Sequence, residues 1–279
     1  MRNYFCGWYF RCQSEFQTLA VIPSIHRTDE SDFCTIQFIS DTEVSQAHFP
    51  YSDYENSEKK IRIADNLFRQ NGITVDIQTS DLSANGSIRF GAFSPIQYDI
   101  MGPFRYVPLM QCRHSVFSMR HTVNGELFIN GKPYIFHNGI GYIEGDRGRS
   151  FPREYVWTQC SFPDGALMLS IADIPIGVFH FIGVIGVVLL RGKEYRIATY
   201  LGAKAIKVTQ EEIIVRQGSY DLIVKPREQS GHPLQAPVGG AMIRTIHEHP
   251  SCKVYYCFEE KGVPLLELEA PNAAFEYEY

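Results

Sequence analysis

The chain is poor in the features that would place it quickly. Of its 279 residues, 26 are Lys or Arg and 31 are Asp or Glu, a formal net charge of −5. Without a concentrated basic surface, a nucleic-acid partner is not expected. Seven cysteines, at positions 6, 12, 34, 112, 160, 252 and 257, form no metal-type Cys-x-x-Cys pair. Reduced thiols in a cytoplasmic protein are therefore the expectation. The start, Met1-Arg2-Asn3-Tyr4-Phe5-Cys6-Gly7-Trp8, lacks a basic segment leading into an apolar run, which argues against a secretory signal. The one long apolar stretch, Ile174 to Leu190, is interrupted by Pro175, Gly177, His180, Gly183 and Gly186. It is short for a bilayer span and reads as two buried strands. There is no P-loop, no Gly-x-Gly-x-x-Gly turn and no Gly-x-Ser-x-Gly elbow, so nothing signals a nucleotide cofactor or an α/β-hydrolase nucleophile. Helical patterning is scarce as well. Glu55 to Arg69 has spaced apolar residues but follows a turn-like stretch, and Ile213-Ile214-Val215 favours a strand within the other candidate, Thr209 to Val215.

What is present suits pleated, half-buried surfaces. Sixteen Tyr, 19 Phe and 2 Trp are spread along the chain, with 22 Gly and 15 Pro as scattered turn punctuation. Asn-Gly pairs at 85–86, 124–125 and 130–131 can supply the positive φ values of a tight hairpin. The pair at 130–131 has apolar runs on both sides, from Leu127 to Phe136. Further hairpins are expected at Arg191-Gly192-Lys193, Gln217-Gly218-Ser219 and Glu260-Lys261-Gly262. Strands without crossover helices make antiparallel sheets, hence an all-β protein. At roughly 100–200 residues per domain, the length calls for two barrels or sandwiches packed together. The Pro163-Asp164-Gly165 turn is the best candidate boundary, dividing the chain into 1–162 and 163–279.

Three stretches resemble one family, the tocopherol-cyclase-like proteins. Tyr4-Phe5-Cys6-Gly7-Trp8-Tyr9-Phe10-Arg11 is similar to the family's opening motif. Gly102-Pro103-Phe104-Arg105-Tyr106-Val107-Pro108 is followed by Cys112-Arg113-His114. The most specific runs from Gly141-Tyr142-Ile143-Glu144 through Gly148, Ser150-Phe151-Pro152, Tyr155 and Trp157 to Gln159-Cys160. Similarity continues through Ser170 to Pro175, Ala198-Thr199-Tyr200 and Ala236 to Arg244, so it spans nearly the whole chain. The resemblance implies two lipocalin-like β-barrels with a pocket at or near their junction, an architecture that includes carotenoid hydratases and cofactor-free cyclases. It also implies a substrate with an aromatic head and a prenyl or polyene tail. Two positions depart from the pattern: Cys6 stands where the family usually has an acid, and Arg147 where it usually has Trp.

The implied reaction is acid-catalysed cyclisation or hydration by an isomerase or lyase needing no metal and no cofactor. Alkenes are weak bases, so the donor must be a carboxyl kept protonated by apolar surroundings. Glu144 leads. It follows Tyr142 by two in a strand-like segment, so both side chains share a face. The bland alternative is a Glu paired with Arg147 or Arg149 at a barrel rim. Asp146 lies where turn chemistry alone would explain it. His114 could orient a phenol or take its proton, or be a satisfied histidine beside Arg113. Trp8, Tyr9, Tyr142 and Trp157 are candidates to line the pocket and shield a cation, with plain core as the alternative for each. Arg147 and Asp173 complete the substrate-side candidates; Asp173 interrupts an apolar strand, where a structural hydrogen bond would also account for it. His247-Glu248-His249 puts two imidazoles on one strand face without a third ligand, so edge histidines explain it better than a metal site. Two functions follow: the cyclase or hydratase, or a lipocalin-like carrier that binds an apolar ligand or lipid without chemistry. Peripheral membrane contact is compatible with either.

Overall fold

The computed structural model describes residues 3–57, 60–107, 110–176, 179–227 and 231–279; Gly177 lies outside them. Among the described residues there is no α-helix, only three short 3-10 turns. The strands fall into two antiparallel sheets.

The first sheet holds β1 (Tyr4–Gln13), β2 (Thr18–Arg27), β3 (Asp32–Ser40), β4 (Val44–Pro50), β5 (Tyr54–Ser57), β6 (Lys60–Ile63), β7 (Asn66–Arg69), β8 (Gly72–Gln78), β9 (Ser83–Phe90), β10 (Cys112–Ile129) and β11 (Lys132–Gly148). Its order is β4-β3-β2-β1-β11-β10-β9-β8-β7-β6-β5. The two edge strands, β4 and β5, are consecutive in the chain and joined by the single 3-10 turn Tyr51–Asp53. A turn that short cannot span a flat sheet of eleven strands, so the sheet curls into a nearly closed barrel. Its interior is apolar. Phe10 of β1 meets Phe68 of β7 at 5.7 Å between ring centroids, although those strands are not neighbours in the sheet.

The second sheet holds β12 (Tyr155–Phe162), β13 (Gly165–Ile176), β14 (Phe179–Leu190), β15 (Lys193–Ala198), β16 (Lys204–Val208), β17 (Ile213–Gln217), β18 (Tyr220–Pro226), β19 (His232–Val238), β20 (Ala241–Glu260) and β21 (Val263–Glu278). Its order is β15-β14-β13-β12-β21-β20-β18-β17-β16, with β19 pairing β20. Again the end strands, β15 and β16, are consecutive and joined by a 3-10 turn, Thr199–Leu201. The Gln217 side chain closes this seam. Its amide donates to the Arg196 carbonyl and its oxygen accepts from the Ala198 N–H, both at 2.9 Å. Inside, Phe258 packs against Tyr195 and Tyr220 at 5.2 and 5.5 Å.

Four of the expected hairpins form. Asn130 and Gly131 take φ of 49° and 80° between β10 and β11, as a type I′ turn requires. Arg191-Gly192 and Lys261-Gly262 do the same, and Gly218 turns β17 into β18. The other two Asn-Gly pairs are not turns. Gly86 lies inside β9 and Gly125 inside β10, and a Cβ on either would run into a carbonyl of the neighbouring strand. Those glycines permit close backbone approach in a strongly curled sheet.

The chain divides into two compact units that are not contiguous in sequence. One comprises Met1–Pro95, Cys112–Ser150 and Ala236–Arg244; the other comprises Ile96–Gln111, Phe151–Gln235 and Thr245–Tyr279. The expected division into 1–162 and 163–279 does not coincide with this partition. Pro163-Asp164-Gly165 is the hairpin turn between β12 and β13, closed by the pair Phe162 and Gly165 inside the second unit.

Candidate acid–base site

In the first unit, Phe10 and Cys12 of β1 and Ile143 of β11 belong to the apolar core. Strand alternation therefore sends Tyr9, Arg11, Tyr142, Glu144 and Asp146 to the opposite face. Cross-strand register gathers them: Tyr9 opposes Glu144, Arg11 opposes Tyr142, and His114 of β10 opposes Asp146. That face is not a solvated rim. The side chains of His114, Glu144 and Asp146 are 10%, 7% and 23% exposed, and Tyr9, Arg11 and Tyr142 are buried.

The imidazole of His114 bridges the two carboxyl groups. Its Nδ1 lies 3.0 Å from Asp146 Oδ1, and its Nε2 lies 3.1 Å from Glu144 Oε2. The Tyr142 hydroxyl donates to the same Glu144 oxygen at 2.5 Å. The Cys112 thiol donates to Asp146 Oδ1 at 3.3 Å. Burial alone would lower the pKa of His114, but Glu144 and Asp146 outweigh it and raise the value well above the ordinary imidazole range. Burial, reinforced by Glu144, pushes the Tyr142 phenol well up, and burial with Asp146 does the same to the Cys112 thiol. Tyrosine and cysteine thus stay neutral donors, while the histidine's Nδ1 is hydrogen-bonded to Asp146 and its buried Nε2 lies beside Glu144 without hydrogen-bond alignment.

His114, Glu144, Asp146, Tyr142 and Tyr9 come together as one face of three adjacent strands. Trp8 does not join them: it packs on the core side of the sheet, opposite Gly145. Arg147 is exposed and alternates away from Glu144, across from Cys6. The two departures from the family pattern are therefore cross-strand neighbours. Burial raises the Cys6 thiol to about 11, against the lowering effects of a hydrogen bond with Tyr4 and of Arg147. Trp157 is buried in β12 and Asp173 sits in β13, both in the second unit. Asp173 Oδ2 lies 2.9 Å from His180 Nδ1, the structural bond that its sequence position allowed. Of the two histidines in β20, His247 is exposed but His249 is buried, so only the first is an edge histidine. Cys112 and Arg11 were missed as site residues. The signal for Arg11 was a long cation two residues after Tyr9 in an aromatic strand.

His114, Glu144 and Asp146 each offer a ligand atom, all within 4.8 Å of one another, the single such group among the described residues. The charge balance of the three groups fits a proton better than a cation. Each ring nitrogen faces a different carboxylate at hydrogen-bond distance, and a ligating imidazole must be neutral, whereas these carboxylates favour imidazolium.

Curled antiparallel sheets of this kind define a fold class, the lipocalin-like two-barrel proteins. Within it, the chain is similar to CghA, with a TM-score of 0.66 and 9% identity over 99% of this chain and 88% of that one. It is also similar to kievitone hydratase from Nectria haematococca (TM-score 0.55, 10% identity, 98% and 88% covered) and to a candidate AttH from Nitrosomonas europaea (TM-score 0.54, 11% identity, 99% and 92% covered). At these identities the likeness is one of fold. No family model and no curated protein sequence matches the chain.

Proposed function

We propose that His114, Glu144 and Asp146 form the proton-transfer centre of a cofactor-free, tocopherol-cyclase-like enzyme that cyclises or hydrates a prenylated quinol or polyene lipid. The observation that carries this reading is the buried imidazole bridging two carboxyl groups, one of which also holds the Tyr142 hydroxyl. Asp146 retains His114 Nδ1 while the proton on Nε2 passes to Glu144 and from there to an alkene carbon. The resulting tertiary cation is captured by the substrate's phenol oxygen, or by water in a hydration. The proton released from that oxygen returns to Glu144 and His114, so the cluster ends as it began. Tyr9 and Tyr142 supply electron-rich rings on the same face. A hydratase and a protein crystallised with Sch210972 share the fold, which supports small-molecule chemistry or binding on this scaffold.

The test is incubation with a prenylated hydroquinone, followed by chromatography and mass measurement. An isomeric product, or one heavier by a water, is expected from the wild type. Glu144→Gln should keep fold and ligand binding but lose turnover; equal turnover removes Glu144 from the mechanism. The second reading, a carrier without chemistry, is favoured by Cys6 and Arg147 at the two departing positions, where the uncharged thiol cannot replace a carboxylate. Binding with no product across several tail lengths would support it. Among the described residues no helix is long and apolar enough to cross a membrane. Peripheral attachment in the cytoplasm remains part of the proposal, tested by liposome flotation.

A further inference from the structure

A second polar cluster stands on the same face of the first sheet. In β2 and β3, Ile25, Cys34 and Ile36 turn inward to the core, so Ser24, His26 and Thr35 turn outward, yet all three are buried. His26 Nδ1 lies 3.2 Å from the carbonyl of Gly240, an obligatory acceptor, so the ring proton resides there. Nε2 then accepts from the Ser24 hydroxyl at 2.8 Å. Thr35 Oγ1, 2.6 Å from Ser24 Oγ and 3.3 Å from Nε2, donates to the serine in turn. Burial lowers the His26 pKa to about 4, which keeps this ring neutral and its Nε2 an acceptor. With its own hydrogen committed to His26, Ser24 presents an acceptor lone pair to whatever adjoins it.

What adjoins it is Gly7. Register places His114, Asp146, Gly7, Ser24 and Thr35 in one row across five neighbouring strands. Two strand spacings separate Asp146 from Ser24, about 10 Å between backbones. Gly7 has no positive φ that would require glycine. Among the described residues, a Cβ there would meet only Ser24 Cβ at 3.4 Å and the Pro23 carbonyl at 3.9 Å within 4 Å, which is ordinary contact. Neither strain nor crowding calls for glycine, and the residue is only partly buried. What it supplies is a position without a side chain between two polar groups.

We propose that Gly7 floors a binding slot for a hydroxyl-bearing head group, held by Asp146 and His114 at one end and by Ser24, backed by His26 and Thr35, at the other. This deepens the preceding reading and rests on it for the acid end. The ligand class is one whose ring or chain donates a hydroxyl hydrogen to Ser24.

The test measures binding of an alkylhydroquinone and its two monomethyl ethers to the wild type, G7A, G7L and S24A, with circular dichroism and melting to confirm folding. G7A should bind as the wild type does. G7L should remain folded and bind at least about tenfold more weakly, because its side chain fills the slot. The wild type should bind each monomethyl ether about tenfold more weakly than the hydroquinone, the value of one lost hydrogen bond, and S24A should lose that discrimination for one of the two ethers. Wild-type affinity in folded G7L, or unchanged discrimination in S24A, overturns the slot; no wild-type binding of any probe overturns the ligand class and the proposal with it. Should G7L fail to fold, S24A discrimination decides alone. Glu144→Gln measured in parallel separates the two readings. Full turnover in that variant with lost binding in G7L sinks the acid centre and keeps the slot, and the reverse pattern does the opposite.

Discussion

Each sheet buries charge on the face away from its own core, but the two charges differ in kind. In the second unit Tyr195 packs against the core and Ile197 belongs to it, so Glu194 and Arg196 turn to the other face, each about 5% exposed and paired at 2.7 Å. Arg196 also donates to the Tyr98 carbonyl at 2.9 Å and lies 4.1 Å from the centroid of the Tyr98 ring, while Glu194 accepts the Gln97 N–H at 2.8 Å. This pair pins the start of Ile96–Gln111 to its unit. A guanidinium cannot be deprotonated in a protein, so the pair can hold a segment but cannot exchange a proton. His114 can, because an imidazole has two nitrogens and both face carboxylates. Buried charge therefore does not by itself mark a site; a titratable group bridging two acceptors does.

That contrast can be broken by experiment, beginning with the largest effect. Glu194→Ala leaves the Arg196 charge buried with its carboxylate removed and should lower stability by about 3–5 kcal/mol in urea unfolding; a loss under 1 kcal/mol would mean the pair is not structural. Tyr142→Phe removes a hydrogen bond to a charged group and should cost about 1.5–3 kcal/mol in the same assay, with no measurable change marking Glu144 as solvated. The third effect is spread over pH. Because the folded pKa of His114 is raised, its stabilisation is fully present below the unfolded value near 6.5 and is lost as pH rises through the higher folded value. Wild type should therefore lose stability over that window relative to His114→Gln, whereas the Glu194–Arg196 pair should hold through it. Parallel pH profiles for wild type and His114→Gln would refute the raised pKa. Smallest is Gly131→Ala at φ 80°, which should cost about 1 kcal/mol. Gly86→Ala should cost clearly more, since its Cβ also meets the Glu126 carbonyl.

Much of this was legible in residue order. Alternation put Tyr142 and Glu144 on one face, and Asn130-Gly131 announced its hairpin through the backbone freedom of both residues. Asn85-Gly86 carries the same letters and lies in mid-strand, because a dipeptide signals permissiveness and the neighbouring strand decides its use. Trp8 was a candidate to line the pocket with plain core as its alternative, and it packs on the core side of the sheet. Its neighbour Tyr9, with the opposite parity, is the residue that faces the acid. Cys112 was read as part of a motif but not as a site residue, because its role depends on a partner 34 positions away.

Composition, turn chemistry and two-residue periodicity by themselves determined an all-β chain and the residues able to carry acid–base chemistry, since these are local properties of strands and side chains. Only the tertiary structure decided which edges meet, where the two compact units divide, and that His114 stands between Glu144 and Asp146. Those outcomes depend on cross-strand register between segments far apart in the chain, and a shift of one residue would send the same side chains to the opposite face.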